Sequence, residues 1–286
     1  MRRLLLAIAI LLLSAPAMAQ QVGVSCVRGA DNKCRGIQFA GDNQPRVVTM
    51  TYGDAIVHGL IAGHAAFRRF GINDNVGGAW ETVSSISKIV PLLTSADTFY
   101  LTGTDAVDTA AAGTGCRTVQ LQGLDASWDI VTSTVDMAGV GNTANFGTSF
   151  LIPLQLRCMT VGTGGFNAGL ITLYQTTGPV SHMVMSAETG RSQSSRWAVP
   201  DGYKAKVEGF FASEGSSKGS SIALYAKFFG GAWEEIAPMK MLDSSTYVRF
   251  PYAIPFATKT VFEVRAKSAL GSAKVTGWLF GHYEPE

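Results

Sequence analysis

Charged residues are scarce in this sequence, since Asp, Glu, Lys and Arg together make up 15% of its 286 residues. A disordered chain has the opposite composition, because high charge and low hydrophobicity leave too little apolar surface to offset chain entropy. Apolar residues here make up 47% of the chain. The composition therefore excludes an intrinsically disordered protein and indicates a folded chain with a substantial core.

Motifs that bind nucleotides or metal ions are also missing. The sequence has no G-x-x-x-x-G-K-[ST] phosphate loop and no C-x-x-C pair. Its histidines, His58, His64, His182 and His282, are scattered and are interpreted as structural. A G-x-S-x-G match at residues 215–219 lies between two strand-like segments, whereas a nucleophile elbow needs a strand, a turn and a helix. We expect no enzymatic activity, no metal site and no cofactor.

Apolar runs of the length that spans a bilayer are lacking as well. The run Leu4 to Leu13 follows Arg2 and Arg3 and precedes the small-x-small sequence Ala17-Met18-Ala19. This order is typical of a secretory signal, which predicts cleavage after residue 19 and no stable membrane insertion afterwards. The alternative is an uncleaved apolar N-terminus that packs within an assembly.

The charge balance argues against a nucleic-acid partner. The signal-like segment holds two of the 23 basic residues and none of the 21 acidic ones, so the remaining chain has no net charge. Phosphate-backbone binding requires a clustered basic patch. The compact candidate is Arg68-Arg69, which is interpreted as a solvated pair.

The four cysteines are interpreted in two ways. Cys26 and Cys34 flank a short polar loop, and in an exported protein this spacing predicts a disulfide. Cys116 and Cys158 lie in strand-like segments and are interpreted as buried thiols.

The pattern along the chain predicts a mainly β protein. From Arg117 onward, short segments rich in β-branched and aromatic residues alternate with Gly-, Pro- and Asp-containing turns. Roughly ten strands at this spacing indicate an antiparallel two-sheet β-sandwich that resembles a jelly roll. In this interpretation the segment Lys204–Ala212 pairs with Ser220–Phe229. The sandwich domain is expected to cover residues 114–286.

Residues 20–113 are less regular and are expected to form an N-terminal arm or small domain. Asp54–Phe70 has a loose helical period, which predicts a short helix or an extended arm. Residues 71–78 are expected to form a loop, Ile86–Leu93 a strand, and Asp105–Gly115 a linker.

Bulky aromatic residues lie on both faces of several predicted strands. Strands that are apolar on both faces must be covered on both sides, so part of the outer face is expected to be buried against another subunit. The candidates for this assembly face are Phe211, Phe228, Phe229, Trp278 and Phe280.

One set of segments resembles a known group of proteins. It consists of Ala111–Val119, Gly123–Trp128, Phe150-Leu151, Val199–Tyr203, Pro255-Phe256 and Val264–Lys267. Their order over residues 70–286 is similar to that of β-sandwich virion proteins of marine tailed bacteriophages. The resemblance implies a capsid-decorating or tail-associated protein that assembles as an oligomer with other virion proteins, and it supplies no catalytic residues.

Two functions are therefore carried forward. The first is a non-enzymatic structural protein located in the virion. The second is a β-sandwich that binds host-surface glycans through exposed Trp and Tyr rings. The second protein would be secreted or periplasmic if the signal is cleaved.

Overall fold

The computed structural model describes the backbone of residues 27–28, 33–39, 45–241 and 244–286, with side chains from residue 51 onward within these ranges. The chain divides into two compact units, Met1–Ile61 and Ala62–Glu286. The signal-like segment 1–19 and Cys26, on which the predicted disulfide to Cys34 depends, lie outside the described residues. Among the described residues, no helix has the length and apolar character needed to cross a bilayer.

The first unit contains a small antiparallel sheet followed by one short helix. Its elements are β1 (Val27–Arg28), β2 (Lys33–Phe39), β3 (Pro45–Thr51) and α1 (Tyr52–Val57). The Thr51 side chain caps the helix by accepting the Asp54 backbone N–H at 3.1 Å. Gly59 follows the helix with a φ of 68°, a conformation that glycine adopts without strain. Of the segment Asp54–Phe70, for which a short helix or an extended arm was expected, only Asp54–Val57 is helical, and Ala65–Phe70 belongs to a strand of the second unit.

Within the described residues, the regular elements of the second unit are all strands. They are β4 (Ala65–Val76), β5 (Glu81–Thr82), β6 (Phe99–Gly103), β7 (Cys116–Leu124), β8 (Ile130–Asp136), β9 (Ile152–Val161), β10 (Ile171–Gln175), β11 (Ser181–Met185), β12 (Trp197–Ala198), β13 (Tyr203–Glu214), β14 (Ser220–Lys227), β15 (Trp233–Met241), β16 (Ser244–Phe256), β17 (Val261–Ser268) and β18 (Ala273–Pro285).

Two facing sheets of this unit form a jelly roll. One sheet has the order β16-β13-β18-β4, and the other has the order β12-β17-β14-β15, with β5 also paired to β17. The first strand therefore lies beside the last, and the second beside the one before last, which is the jelly-roll arrangement. Buried Phe210, Phe256, Phe262 and Leu279 fill the space between the sheets. The expectation of a mainly β, antiparallel sandwich is confirmed.

A second, smaller sandwich is inserted into the jelly roll. Its sheets, β11-β10-β6 and β8-β7-β9, enclose a separate core that includes Phe99, Leu121, Phe150 and Leu173. The insertion occupies residues 83–196, between β5 and β12, which pair with successive parts of the same edge of β17. The predicted single sandwich over residues 114–286 therefore differs from the structure, in which β4 to β6 belong to the same unit as the later strands.

The two chain crossings between jelly roll and insertion lie side by side. Ser84 pairs with Ser194, and the Val83 N–H donates to the Val264 carbonyl at 2.9 Å. The Val83 backbone can approach β4 closely because residue 71 of that strand is glycine. A Cβ atom at residue 71 would lie 1.9 Å from the Val83 carbonyl oxygen. Leu154 of β9 packs into the jelly-roll core, so the two sandwiches share buried surface.

Several local expectations were wrong. The loop predicted over residues 71–78 is largely strand, because β4 continues to Val76, and the predicted strand Ile86–Leu93 contains no strand. The segments corresponding to β13 and β14 do not pair with each other, because they belong to opposite sheets of the jelly roll.

The predicted linker Asp105–Gly115 is instead an ordered loop. Asp108 is fully buried, and its carboxylate accepts backbone N–H groups from Cys116 at 2.7 Å, Ala168 at 2.9 Å and Gly169 at 2.8 Å. These hydrogen bonds to a charged acceptor hold together parts of the chain that are distant in the sequence. The small residues that suggested a linker give no indication of these contacts.

The interpretation of Cys116 and Cys158 as thiols was also wrong. The two residues form a disulfide between β7 and β9, with their Cα atoms 5.8 Å apart. Adjacent strands bring the residues within bonding distance, a proximity that becomes apparent only when the strand pairing is known.

Candidate functional site

The outer face of the β16-β13-β18-β4 sheet carries a row of aromatic side chains. Phe70 of β4 pairs with Trp278 of β18, Trp278 with Phe211 of β13, and Phe211 with Tyr247 of β16. Residues in register on one face of a sheet are neighbours, so one aromatic side chain comes from each of the four strands. Trp278 is 41% exposed and Tyr247 is 57% exposed.

The next row of the sheet extends this apolar surface. Phe280 stacks on Tyr247 with ring centroids 5.7 Å apart, and the Arg68 guanidinium lies 5.6 Å from the centre of the Trp278 ring. We define the aromatic face by the residues that line its open groove of about 550 Å³, namely Arg68, Phe211, Tyr247, Trp278 and Phe280.

Gly209 makes room for the Phe280 ring. It follows a bulge in β13 and is paired with Phe280 on the neighbouring strand. A Cβ atom at this position would lie 2.9 Å from the Phe280 ring and 2.3 Å from the Val248 carbonyl oxygen. The glycine therefore allows the ring to lie flat across the sheet toward Tyr247.

The structure places the five predicted assembly-face residues at three different locations. Phe211, Trp278 and Phe280 meet on the aromatic face. Phe228 packs on Phe256 in the jelly-roll core, and Phe229 is 68% exposed beside Trp128 at another surface. Phe70, Tyr247 and Arg68 are missing from the predicted assembly face, because their proximity to its residues depends on cross-strand register. Alternation along β16 could have suggested only that Tyr247 faces outward.

A group of charged residues lies on the same outer face, beyond the aromatic rows. His282 is within 3.1 Å of the Glu208 carboxylate, and Lys206 contacts Glu284 at 2.6 Å. The hydrogen bond from His282 lowers the pKa of Glu208. Burial acts to raise the pKa of Glu284, but the hydrogen bond and charge of Lys206 outweigh it, so the net shift is downward. Both carboxylates are stabilised as anions.

Two of the histidines that are far apart in the sequence converge on Glu284. His64 lies 3.4 Å and His282 lies 3.8 Å from its Oε2 atom. The interpretation of the histidines as scattered was therefore wrong for this pair, because β18 brings them together only in the folded chain. Within the described ranges, no group of three or more His, Cys, Asp or Glu side chains is placed to hold a metal ion.

The G-x-S-x-G match at residues 215–219 forms a loop, as expected. It connects β13 of one jelly-roll sheet to β14 of the other, and no helix follows it. The Glu214 carboxylate accepts the backbone N–H groups of Ser216 at 3.0 Å and Lys218 at 3.3 Å. These hydrogen bonds stabilise the turn, which gives the loop a structural explanation.

Comparisons with known proteins give only weak structural likenesses. No protein-family model and no curated protein matches the chain. A structure of the infectious bursal disease virus Gt strain is 8% identical, with 78% of this chain and 77% of that chain covered and a TM-score of 0.17. A T13 particle of the same virus is 9% identical, with 92% and 67% covered and a TM-score of 0.19. Likenesses of this size carry no argument about the fold or function of this chain.

Proposed function

We propose that this chain is a non-enzymatic structural protein of a bacteriophage particle, either decorating the capsid or belonging to the tail. The observation that carries the proposal is the aromatic face, which makes a jelly-roll sheet apolar on its outer side as well as its inner side. Jelly rolls of this strand order are used by viral capsid domains, and the sequence resemblance to virion proteins supports the same role.

The occupant of the aromatic face in this proposal is a neighbouring copy of the chain. Trp, Tyr and Arg are the residues that dominate protein–protein binding energy, and here Arg68, Tyr247 and Trp278 lie together. The groove is flanked by Arg249 in the Phe280 row and by Glu208 beyond it, so the surface offers both signs of charge to a second copy. Such a surface suits a two-fold contact, in which each patch meets its own equivalent.

The oligomeric state of the wild-type chain and of Trp278→Ser tests this assignment. Loss of a central Trp anchor costs at least about 2 kcal/mol of binding, which weakens association roughly 30-fold. We expect a wild-type oligomer by light scattering coupled to size exclusion, and a monomer for the variant at the same concentration.

Tyr252→Ser is the matched control, because Tyr252 lies on β16, the strand that carries Tyr247, and is 88% exposed but does not line the aromatic face. It should leave the oligomer intact. A wild-type chain that remains monomeric at all concentrations, or equal loss of assembly in both variants, would contradict the proposal.

A glycan-binding protein is the second candidate, because Trp278 and Tyr247 present exposed rings on one surface. The Cys116–Cys158 disulfide suits an oxidising compartment, as does the signal-like segment. Mass spectrometry of purified particles and of particle-free culture supernatant separates the two functions. A chain found only in the supernatant and starting at Gln20 would favour the secreted glycan-binding protein.

A further inference from the structure

A small basic pocket lies between the jelly roll and the inserted sandwich. Its volume is about 50 Å³, and its polar lining consists of Arg68, Arg69, Gln155, Arg191, Ser192 and Ser194. Three of these residues are arginines, and no Asp or Glu lines the pocket within the described part of the chain. The structure thus collects three positive charges at one place without a lining carboxylate.

Arg69 is the central observation. The sequence predicts a solvated Arg68-Arg69 pair, but Arg69 is only 7% exposed. Its strand places it against Trp197, with the guanidinium 4.3 Å from the ring centre. Its Nη2 group donates to Gln122 at 3.1 Å, and its Nε–H has no hydrogen-bond partner among the described residues. The pKa of Arg69 is lowered to about 10, mainly by burial and to a smaller extent by the positive charge of Arg191.

Two other buried arginines of this chain show how such a charge is normally neutralised. Arg196 and Arg265 both contact the buried carboxylate of Glu263, at 2.6 and 2.7 Å. A buried cation without an anionic partner is costly, because the protein interior solvates charge poorly. Among the described residues, no carboxylate contacts the Arg69 guanidinium, so an anion from outside the chain would supply the missing partner.

The serines of the pocket are suited to donate hydrogen bonds to an anion. The Ser192 hydroxyl accepts the Leu156 backbone N–H at 2.9 Å, and the Ser194 hydroxyl accepts the Arg196 backbone N–H at 3.4 Å. Each oxygen is thereby used as an acceptor, which leaves its own hydrogen available for donation.

We propose that this pocket binds a small oxyanion, namely a phosphate or sulfate group. Guanidinium groups match the oxygens of such groups with paired donors, and serine hydroxyls add further ones. The pocket has room for one tetrahedral group. Because Arg68 and Trp278 line both this pocket and the aromatic face, the group can be a free ion or the charged end of a larger molecule lying across that face.

Calorimetric titration of the full chain with sodium phosphate and sodium sulfate, at constant ionic strength set with chloride, tests the proposal. We expect saturable binding to one site in the wild type. Arg69→Gln and Arg191→Gln should each weaken it at least tenfold. Arg191 is exposed, so its variant tests the pocket even if the buried substitution impairs folding.

Arg249→Gln is the control for net charge, because Arg249 is an exposed arginine outside the pocket, and it should bind phosphate as the wild type does. Absence of saturable heat in the wild type, or unchanged affinity in both pocket variants, would overturn the proposal.

Glucose 6-phosphate in place of inorganic phosphate distinguishes the two sources of the group. Tighter binding that is lost in Trp278→Ser would identify the end of a larger molecule, whereas equal binding would identify the free ion. Both results require the same arginine pocket. Loss of binding in Arg191→Gln does not depend on assembly through the aromatic face, because Arg191 does not line that face.

Discussion

His182 illustrates how a residue's chemistry is decided by its surroundings. The sequence places it in a strand and favours a structural role, and in the fold it is 3% exposed within the inserted sandwich. Its Nε2 atom lies 3.1 Å from the Gln175 side-chain oxygen, and its ring packs edge-on against Phe99. Burial, followed by the charges of Arg196 and Lys88, lowers the pKa of His182 from 6.5 to about 4.

This pKa predicts a loss of stability in acid. Protonation favours the unfolded chain, whose histidine has the higher pKa, so the contribution of His182 is complete above pH 6.5 and is lost as the pH falls toward 4. The difference in pKa corresponds to about 3 kcal/mol. Urea unfolding between pH 4 and 8 should show this loss in the wild type and a flatter profile in His182→Gln.

The exposed His58 provides the comparison for this measurement. His58→Gln should follow the wild-type profile across the whole range. If His182→Gln loses as much stability in acid as the wild type does, burial of the imidazole is not the cause.

At the scale of elements, the Cys116–Cys158 disulfide cross-links β7 to β9 and closes a span of 42 residues in the sequence. A cross-link over a loop of this length stabilises the fold by about 4 kcal/mol, mainly by restricting the unfolded chain. We therefore expect the double variant Cys116→Ala/Cys158→Ala to lose about 3–4 kcal/mol of unfolding free energy in urea, with the native circular dichroism spectrum retained.

Strong reductant supplies the control for the cross-link. Under reducing conditions the wild type and the double variant should have the same midpoint. A difference that persists after reduction would assign the cost to packing of the sulfur atoms rather than to the bond.

At the scale of the whole molecule, the inserted sandwich has a core of its own and also contributes buried side chains to the jelly-roll core. Leu154 is 1% exposed and belongs to the inserted sheet, yet it packs with the jelly-roll residues Phe210 and Leu279 in one buried cluster. Elements that share buried surface unfold together, whereas separate cores open independently.

Native-state hydrogen exchange tests this coupling. Leu154→Ala should lower the opening free energy of β10 in the insertion and of β18 in the jelly roll by a similar amount, about 2–4 kcal/mol, because both depend on the same contact surface. Val140→Ala, at a position 68% exposed, should change neither. A selective effect on β10 alone would show that the two sandwiches are independent.

The positions of most strands after residue 117 follow from local sequence. Alternation and turn residues depend on neighbours in the chain, which is why the segments Lys204–Ala212 and Ser220–Phe229 correspond closely to β13 and β14. The same locality explains the errors before residue 113. The Asn- and Asp-rich end of β4 has the composition of a loop, and its pairing with β18 overrides that preference.

Composition and alternation are properties of adjacent positions, and they predict a mainly β, sandwich-forming chain with surplus aromatic residues. Three features depend on the fold instead: a second sandwich interrupts the jelly roll, Phe70, Phe211, Tyr247 and Trp278 form one row, and Arg69 is buried beside Arg191. These features depend on register between strands far apart in the chain, where a shift of one residue would turn every side chain to the opposite face.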